Sequence, residues 1–177
     1  QKALRSMETG LTGLDEFRFD GLGQGDDKNV IREALGTPSP DRILKVAQAL
    51  RLGVDPAQIY DSCNIDPWFI EQLQDIIDWE ERVREHGLPQ MPAQFRALKA
   101  MGFSDERLAA LSGLDADEVS ARRRALRVHP VYKRIDTCAA EFASPTAYMY
   151  STYEADFAGP PQCEARPSEK EKIIILG

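Results

Sequence analysis

The sequence predicts an all-α fold of two similar helical subdomains, followed by an extended, tyrosine-rich tail that ends in one orphan β-strand. Three observations predict it. Residues 28–127 carry closely spaced helix start and stop signals, one pattern occurs twice at an offset of 60–65 residues, and four of the five tyrosines fall after residue 129. Hydrophobic residues make up 42% of the 177-residue chain, which is typical of a globular protein with a packed core.

Composition and charge exclude several classes of function. The chain has 29 Asp and Glu against 22 Lys and Arg, a net charge of −7, so it lacks the basic surface of a general nucleic-acid binder. No apolar run approaches the roughly 18 residues that a membrane span needs. Three widely spaced cysteines fit neither a disulfide framework nor a metal clip, which favours a cytoplasmic location. We therefore expect neither a nucleic-acid nor a membrane partner.

The first ten residues are predicted to form a helix. Ala3, Leu4 and Met7 give it a short apolar stripe, and Gly10 supplies the stop. Because the chain starts inside this helix and without Met, we interpret the sequence as a fragment of a longer polypeptide.

The next strong signals define a helix between Ser39 and Gly53 and a longer one after it. Ser39-Pro40-Asp41 starts the first, and Gly53 ends it. Asp66 is the predicted N-cap of the longer helix, and Pro67 occupies its first helical position. Gly87 and Pro89 end this helix. Its predicted core residues are Trp68, Phe69, Leu73, Ile76 and Val83.

Three further helices are expected before residue 127. Pro92 starts a helix with Phe95 and Leu98 facing the core, which Gly102 ends. A short helix runs from Ser104 to Gly113. Asp115 and Glu118 have the spacing of a capping box for the last helix, which ends near Leu126.

The two halves of this helical region resemble each other in sequence. The segment 53–59 matches 113–119 as glycine, aliphatic, aspartate, two variable residues, Gln or Glu, and a β-branched residue. Downstream, 65–69 corresponds to 128–132. We predict repeat units at about 28–69 and 93–132, packed side by side, since two copies are too few for a stacked array.

A helix-turn-helix DNA-binding domain is the alternative interpretation. Ala109, Gly113 and Val119 have the spacing of two helices that cross at a tight turn, and 122–124 are three arginines on the second helix. The matching unit in the first half has no basic cluster. The acidic net charge also favours a helical hairpin used for packing over a DNA-binding one.

The sequence offers few candidates for catalysis. Cys138 has His129 and Asp136 nearby, and a cysteine hydrolase is the third hypothesis, but catalytic triads are spatial arrangements that sequence neighbours rarely form. The glycine-rich run 21–25 lacks the lysine of a phosphate loop. No pair of ligands has metal-site spacing. We therefore predict no catalytic, cofactor-binding or metal-binding residues.

The segment after residue 129 differs in composition from the helical body, because it is rich in tyrosine. Tyr132, Tyr148, Tyr150 and Tyr153 lie here, and Tyr148 and Tyr150 fall on one face of a predicted strand. Tyrosine suits a surface that is buried against a partner, so we predict an arm that docks onto another domain. The apolar run 172–177 is predicted to be the terminal strand of a sheet that the sequence does not complete.

Several of these segments closely resemble the large subunit of carbamoyl-phosphate synthase. The similarity is most specific in 129–142 and 146–154, and it includes the Trp-Phe run of 64–69. The start resembles the end of the first synthetase half of that family, and 172–177 resembles the first strand of the second half.

The resemblance implies a domain organisation for the whole chain. Residues 1–10 correspond to the end of the preceding ATP-grasp half, and 11–128 to the helical oligomerisation domain. Residues 129–163 correspond to an extended linking arm, and 164–177 to the start of the second synthetase half.

The resemblance also implies a function without catalysis in this segment. The parent is an ATP-dependent ligase that uses bicarbonate, two ATP and ammonia from glutamine, with magnesium or manganese, to make carbamoyl phosphate for arginine and pyrimidine biosynthesis. The implied partners are the flanking synthetase halves, the glutaminase small subunit and, through self-association, a second copy. The fragment itself is expected to be a connector and oligomerisation domain without cofactors.

Overall fold

A computed structural model describes residues 1–135, 148–154, 161–166 and 168–173. Within these ranges the chain is mostly helical, so the helical class predicted from the sequence is confirmed. The helices are α1 (Lys2–Ser6), α2 (Asp27–Gly36), α3 (Arg42–Arg51), α4 (Pro56–Cys63), α5 (Pro67–His86), α6 (Pro92–Ala100), α7 (Asp105–Ser112) and α8 (Ala116–Ala125). Two short strands, β1 (Val131–Arg134) and β2 (Met149–Thr152), pair antiparallel.

Local capping signals fix where the helices start. The Asp66 carboxylate accepts from the Trp68 amide at 2.9 Å, and the Ser104 hydroxyl accepts from the Arg107 amide at 3.0 Å. The predicted capping box is present, with Glu118 accepting from the Asp115 amide at 3.1 Å. Each cap satisfies a backbone donor that the first turn of a helix leaves free. The helices α5 to α8 accordingly begin where the sequence predicts.

The α3–α4 and α7–α8 turns have the same geometry. Gly53 and Gly113 both adopt a left-handed conformation, with φ of 75° and 70°. The residue after each glycine donates to a carbonyl five residues earlier, from Val54 to Ala49 at 3.0 Å and from Leu114 to Ala109 at 3.2 Å. This is the closing bond of a glycine-terminated helix, and an aspartate then caps the next helix.

Two hydrophobic clusters make up the interior of the described chain. The first lies among α2, α3, α4 and the N-terminal half of α5, and also takes in Leu14 and Phe19 from the preceding loop. The second lies among α6, α7, α8 and the C-terminal part of α5. Ile76 packs against both clusters. The long helix α5 is therefore the element that both halves share.

The residues predicted to form the core are distributed unevenly. Val83, Phe95 and Leu98 are buried in the second cluster. Leu73 and Ile76 are partly buried against the clusters.

Trp68 and Phe69 are not core residues, contrary to the sequence-based expectation. They are 57% and 56% exposed. The inward face of α5 begins at Ile70, and successive positions on it are three or four residues apart. Phe69 is one residue out of phase with that face, which rotates it by roughly 100° on a helix.

The tail adds a small sheet that the sequence analysis did not include. Val131 in β1 pairs with Thr152 and is buried, and Tyr153 packs against the second cluster. The amide of Glu164 donates to the Tyr132 carbonyl at 2.8 Å, so a third segment runs beside β1. The other predicted arm tyrosines, Tyr132, Tyr148 and Tyr150, are exposed. Most of the predicted terminal strand, 174–177, lies outside the described residues.

Candidate functional site

A buried carboxylate joins the two halves of the helical body. Glu80 on α5 is fully buried, and its two oxygens contact different helices. Arg51 on α3 donates to one oxygen from Nε at 2.9 Å, and Arg107 on α7 donates to the other from Nε at 3.0 Å and Nη2 at 2.8 Å. Both arginines also donate to the Leu14 carbonyl. A single carboxylate thus binds α3, α5, α7 and the N-terminal loop together.

The network reaches the surface through Glu16. Arg107 donates to both oxygens of Glu16, at 2.8 Å and 3.0 Å, and Arg84 donates to one at 2.6 Å. Partial burial favours the neutral acid, but the hydrogen bonds and charge of Arg107 outweigh it and lower the pKa of Glu16 to about 2. Since the described groups of this network are paired, we assign it a structural role.

A second ion-pair cluster lies between α6, α7 and α8. Asp105 accepts from Lys99 at 2.7 Å and from Arg123 Nη2 at 2.9 Å. Burial opposes the charge on Asp105, but the two cations overcome it and keep its pKa low. Lys99 also lies 5.5 Å from the centre of the Tyr153 ring. Arg123, which the DNA-binding hypothesis places among its contacts, therefore stabilises the hairpin instead.

An exposed aromatic pair lies at the start of α5. The rings of Trp68 and Phe69 pack edge to face with centroids 4.9 Å apart. Glu71 and Asp75 are three and seven residues after Trp68, so they share its side of the helix, and all four residues are exposed. We call Trp68, Phe69, Glu71 and Asp75 the acidic aromatic face.

The charged residues around this face in the sequence are all acidic. Residues 52–81 contain eight Asp and Glu and no Lys or Arg. One of the eight, Glu80, is buried and neutralised by its arginines, so the others give the surface of α4 and α5 its negative charge.

The opposite charge is concentrated in the other half of the chain. Residues 82–135 contain 11 Lys and Arg against six Asp and Glu. Three exposed arginines lie at the end of α8 and just beyond it, and we call Arg122, Arg124 and Arg127 the basic end. Within the described residues no carboxylate forms an ion pair with any of the three.

The glycine-rich loop of the sequence analysis borders an open cleft. The cleft has a volume of about 510 Å³ and is lined by 17–22 together with Gln24 and Gln48. Asp27 accepts from the Gly23 amide at 2.6 Å, and Asp26 caps α2, so both aspartates serve the local backbone.

Neither a metal site nor a membrane-spanning helix is found in the part of the chain that the structure describes. That part contains no group of three His, Cys, Asp or Glu placed to hold a metal ion. None of its helices is long and apolar enough to span a bilayer. Of the residues weighed for a cysteine hydrolase, His129 is exposed, whereas Asp136 and Cys138 lie outside the described residues.

The comparisons with known proteins agree with one another. Residues 1–127 match the family described as carbamoyl-phosphate synthetase large chain, oligomerisation domain. The chain is 61% identical to the carbamoyl phosphate synthase large chain of Brucella melitensis over 177 residues. It is 61% identical to that of Rhizobium meliloti and 47% identical to that of Neisseria meningitidis serogroup B, each over 178 residues. These alignments cover the whole of this chain and 15% of each relative. They lend no support to a DNA-binding domain.

Proposed function

The chain belongs to the carbamoyl-phosphate synthetase large-chain family as its oligomerisation domain, and from that premise we propose that it is a non-catalytic connector within a longer synthase. The observation that carries the proposal is the family match over 1–127, together with relatives that align along the entire chain. The structure is compatible with it, because the buried ionic groups around Glu80 bind helices to one another.

We propose the following domain boundaries for the longer protein. Residues 1–10 end the preceding ATP-grasp half, 11–128 form the oligomerisation domain, 129–163 form the linking arm, and 164–177 begin the second synthetase half. In the described chain the first of these segments is hydrogen-bonded to the oligomerisation domain. Arg5 donates to the Gly102 carbonyl at 2.7 Å, and Gln1 donates to the Met101 carbonyl at 3.1 Å, so α1 is fastened to the second half of the helical body.

We propose that the helical body is an internal repeat with units at about 28–69 and 93–132. The support is the pair of equivalent turns, in which Gly53 and Gly113 share a left-handed conformation and the same closing hydrogen bond follows each. The two units also contribute to different hydrophobic clusters.

The tyrosines of the arm are proposed to divide into two roles. Tyr153 packs against the second cluster of its own domain. Tyr132, Tyr148 and Tyr150 are exposed, and we propose that they dock onto the second synthetase half.

The chemistry of the whole enzyme is proposed to reside outside these 177 residues. The longer protein would be an ATP-dependent ligase in the cytoplasm, would use magnesium or manganese, and would receive ammonia from a glutaminase small subunit. It would make carbamoyl phosphate for arginine and pyrimidine biosynthesis. The chain spans 15% of the relatives it matches, which leaves the remaining 85% for nucleotide and bicarbonate sites.

Two experiments test the proposed function. The purified chain is expected to hydrolyse no ATP above a buffer blank in the presence of magnesium. Activity that survives repurification and is lost on a point mutation within the chain would overturn the non-catalytic role. Fused to a monomeric fluorescent protein, the chain is expected to turn that carrier into an oligomer, as measured by light scattering. A carrier that stays monomeric at all concentrations would overturn the oligomerisation role.

A further inference from the structure

Two elements of the described chain are too short to be stable by themselves. The helix α1 has five residues, whereas an isolated helix shorter than about 12–15 residues is marginal in water. The strands β1 and β2 have four residues each and pair with each other, and a two-stranded sheet is also marginal without further packing. Each element is therefore ordered by the surface on which it docks.

The helix α1 docks on the turn that follows α6. Gln1 Nε2 donates to the Met101 carbonyl at 3.1 Å, and Arg5 Nη1 donates to the Gly102 carbonyl at 2.7 Å. Gly102 has a φ of 94°, and a Cβ at this position would lie 3.4 Å from the Cβ of Gln1. A glycine turn has wide conformational freedom unless other groups hold it. The two hydrogen bonds from α1 hold this one.

The β1–β2 sheet docks on the same turn through Tyr153, the residue directly after β2. Tyr153 packs against the second cluster, as Met101 does. The Lys99 ammonium lies 5.5 Å from the centre of the Tyr153 ring, and the Lys99 carbonyl accepts from the Gly102 amide at 3.0 Å. We call residues 99–102 the docking turn. It binds α1 through two carbonyls and contacts Tyr153 through the Lys99 side chain.

One direct contact also joins the two elements. Lys2 Nζ on α1 donates to the Ser151 carbonyl on β2 at 3.5 Å. The contact shows that α1 lies beside the sheet. A hydrogen bond of this length at an exposed position is weak, so the docking turn is the stronger connection between the two elements.

We propose that α1 and the β1–β2 sheet dock cooperatively, because each of them orders the turn on which the other docks. When α1 leaves, the Gly102 turn is released and Lys99 loses its fixed position beside Tyr153. When Tyr153 leaves, the carbonyls that bind α1 are released in the same way. The proposal rests on the connector function proposed above, in which α1 ends one synthetase half and the sheet belongs to the arm that leads to the other. A displacement of the preceding half at α1 therefore loosens the arm.

Amide hydrogen exchange tests the coupling in both directions. Arg5→Ala weakens the docking of α1, and its effect is measured at the Ile135 amide, which donates to the Tyr148 carbonyl at 3.1 Å. Tyr153→Ala weakens the docking of the sheet, and its effect is measured at the Glu8 amide, which donates to a carbonyl of α1 at 3.1 Å. Each variant is expected to speed exchange in the other element by at least about threefold. The two factors should be similar, because coupling between two equilibria is reciprocal.

Two controls and one reference amide accompany these variants. Lys28→Ala removes a positive charge from an exposed site on α2, and Tyr150→Ala removes an exposed tyrosine from β2. Neither should change exchange in the other element. The Val119 amide reports on the second cluster itself. Glu8 is expected to exchange faster than Val119, through local opening, so a general loss of stability speeds Val119 and leaves Glu8 unchanged.

Two results would overturn the proposal. Unchanged exchange at Ile135 in Arg5→Ala and at Glu8 in Tyr153→Ala would show that the two elements dock independently. An effect of Lys2→Ala as large as that of Arg5→Ala would show that the coupling passes through the direct contact with β2 and not through the docking turn. The connector function stands in both cases, since its own failure would appear as ATP hydrolysis by the chain.

Discussion

Arg107 on α7 donates two hydrogen bonds to a single oxygen of Glu80 on α5, from Nε at 3.0 Å and from Nη2 at 2.8 Å. Both side chains are almost completely buried. The contact connects the second cluster, to which α7 belongs, with the helix that both clusters share. Because Arg51 binds the other oxygen of Glu80 from α3, this carboxylate holds the two halves in one relative position.

Removal of the charge at Glu80 should destabilise the fold strongly. In Glu80→Gln, the buried guanidinium of Arg51 loses its anion and that of Arg107 keeps only Glu16 and Asp15. Breaking a buried pair from one side costs about 3–5 kcal/mol in the free energy of unfolding. Urea denaturation measures the change. The control is Glu81→Gln, whose side chain is exposed and whose expected change is within about 0.5 kcal/mol. A loss below about 1 kcal/mol for Glu80→Gln would show that the network does not hold the halves together.

Glu16 should make stability depend on pH in the acid range. Its pKa is lowered from 4.5 to about 2 in the folded chain, so the folded state favours the carboxylate. The stabilisation is complete above the unfolded pKa of 4.5 and is lost as the pH falls towards about 2. Glu16→Gln should therefore flatten the fall in the free energy of unfolding across that window. An unchanged pH profile in this variant would contradict the ion pair with Arg107.

The core residue Leu98 and the surface residue Phe69 should respond differently to truncation to alanine. Leu98 is fully buried in the second cluster, so Leu98→Ala should lower the free energy of unfolding by about 2–5 kcal/mol. Phe69→Ala, at an exposed position, should change it by no more than about 0.5 kcal/mol in the monomer. Chemical denaturation measures both free energies of unfolding. It is done at a protein concentration low enough for the chain to be monomeric. Equal losses would place Phe69 in the core after all.

The tail should contribute to stability through Tyr153. This ring packs on the second cluster and lies over Lys99, whereas Tyr150 on the same segment is exposed. Tyr153→Ala should lower the melting temperature by about 2–4 °C, which corresponds to about 1 kcal/mol for a domain of this size. Tyr150→Ala is the matched control and should leave it nearly unchanged. If Tyr153→Ala and Tyr150→Ala have the same melting temperature, the tail does not pack as the structure shows.

The sequence predicted helix starts well because their signals are local. Asp66, Ser104 and Asp115 each satisfy backbone donors within three residues, so no knowledge of the fold is needed to place them. The inward face of α5 was harder to predict. Trp68 and Phe69 are as apolar as Ile70, and only the packing of the other helices decides which side of α5 turns inward.

The candidate site depends on contacts that are distant in sequence. Glu80 lies 29 residues from Arg51 and 27 from Arg107, and a glutamate in an acidic stretch looks like a surface residue until those partners are placed. β1 likewise pairs with a strand that begins 18 residues after its own start. The clustering of charge in 52–81 and 82–135 is visible in the sequence, but its exposure is not.

The most direct test of self-association is sedimentation equilibrium of the unmodified chain at low salt over a concentration series. A single chain has a mass of 19.8 kDa. The weight-average mass is expected to rise with concentration towards twice that value. A mass that stays at that of a single chain up to millimolar concentration would contradict it.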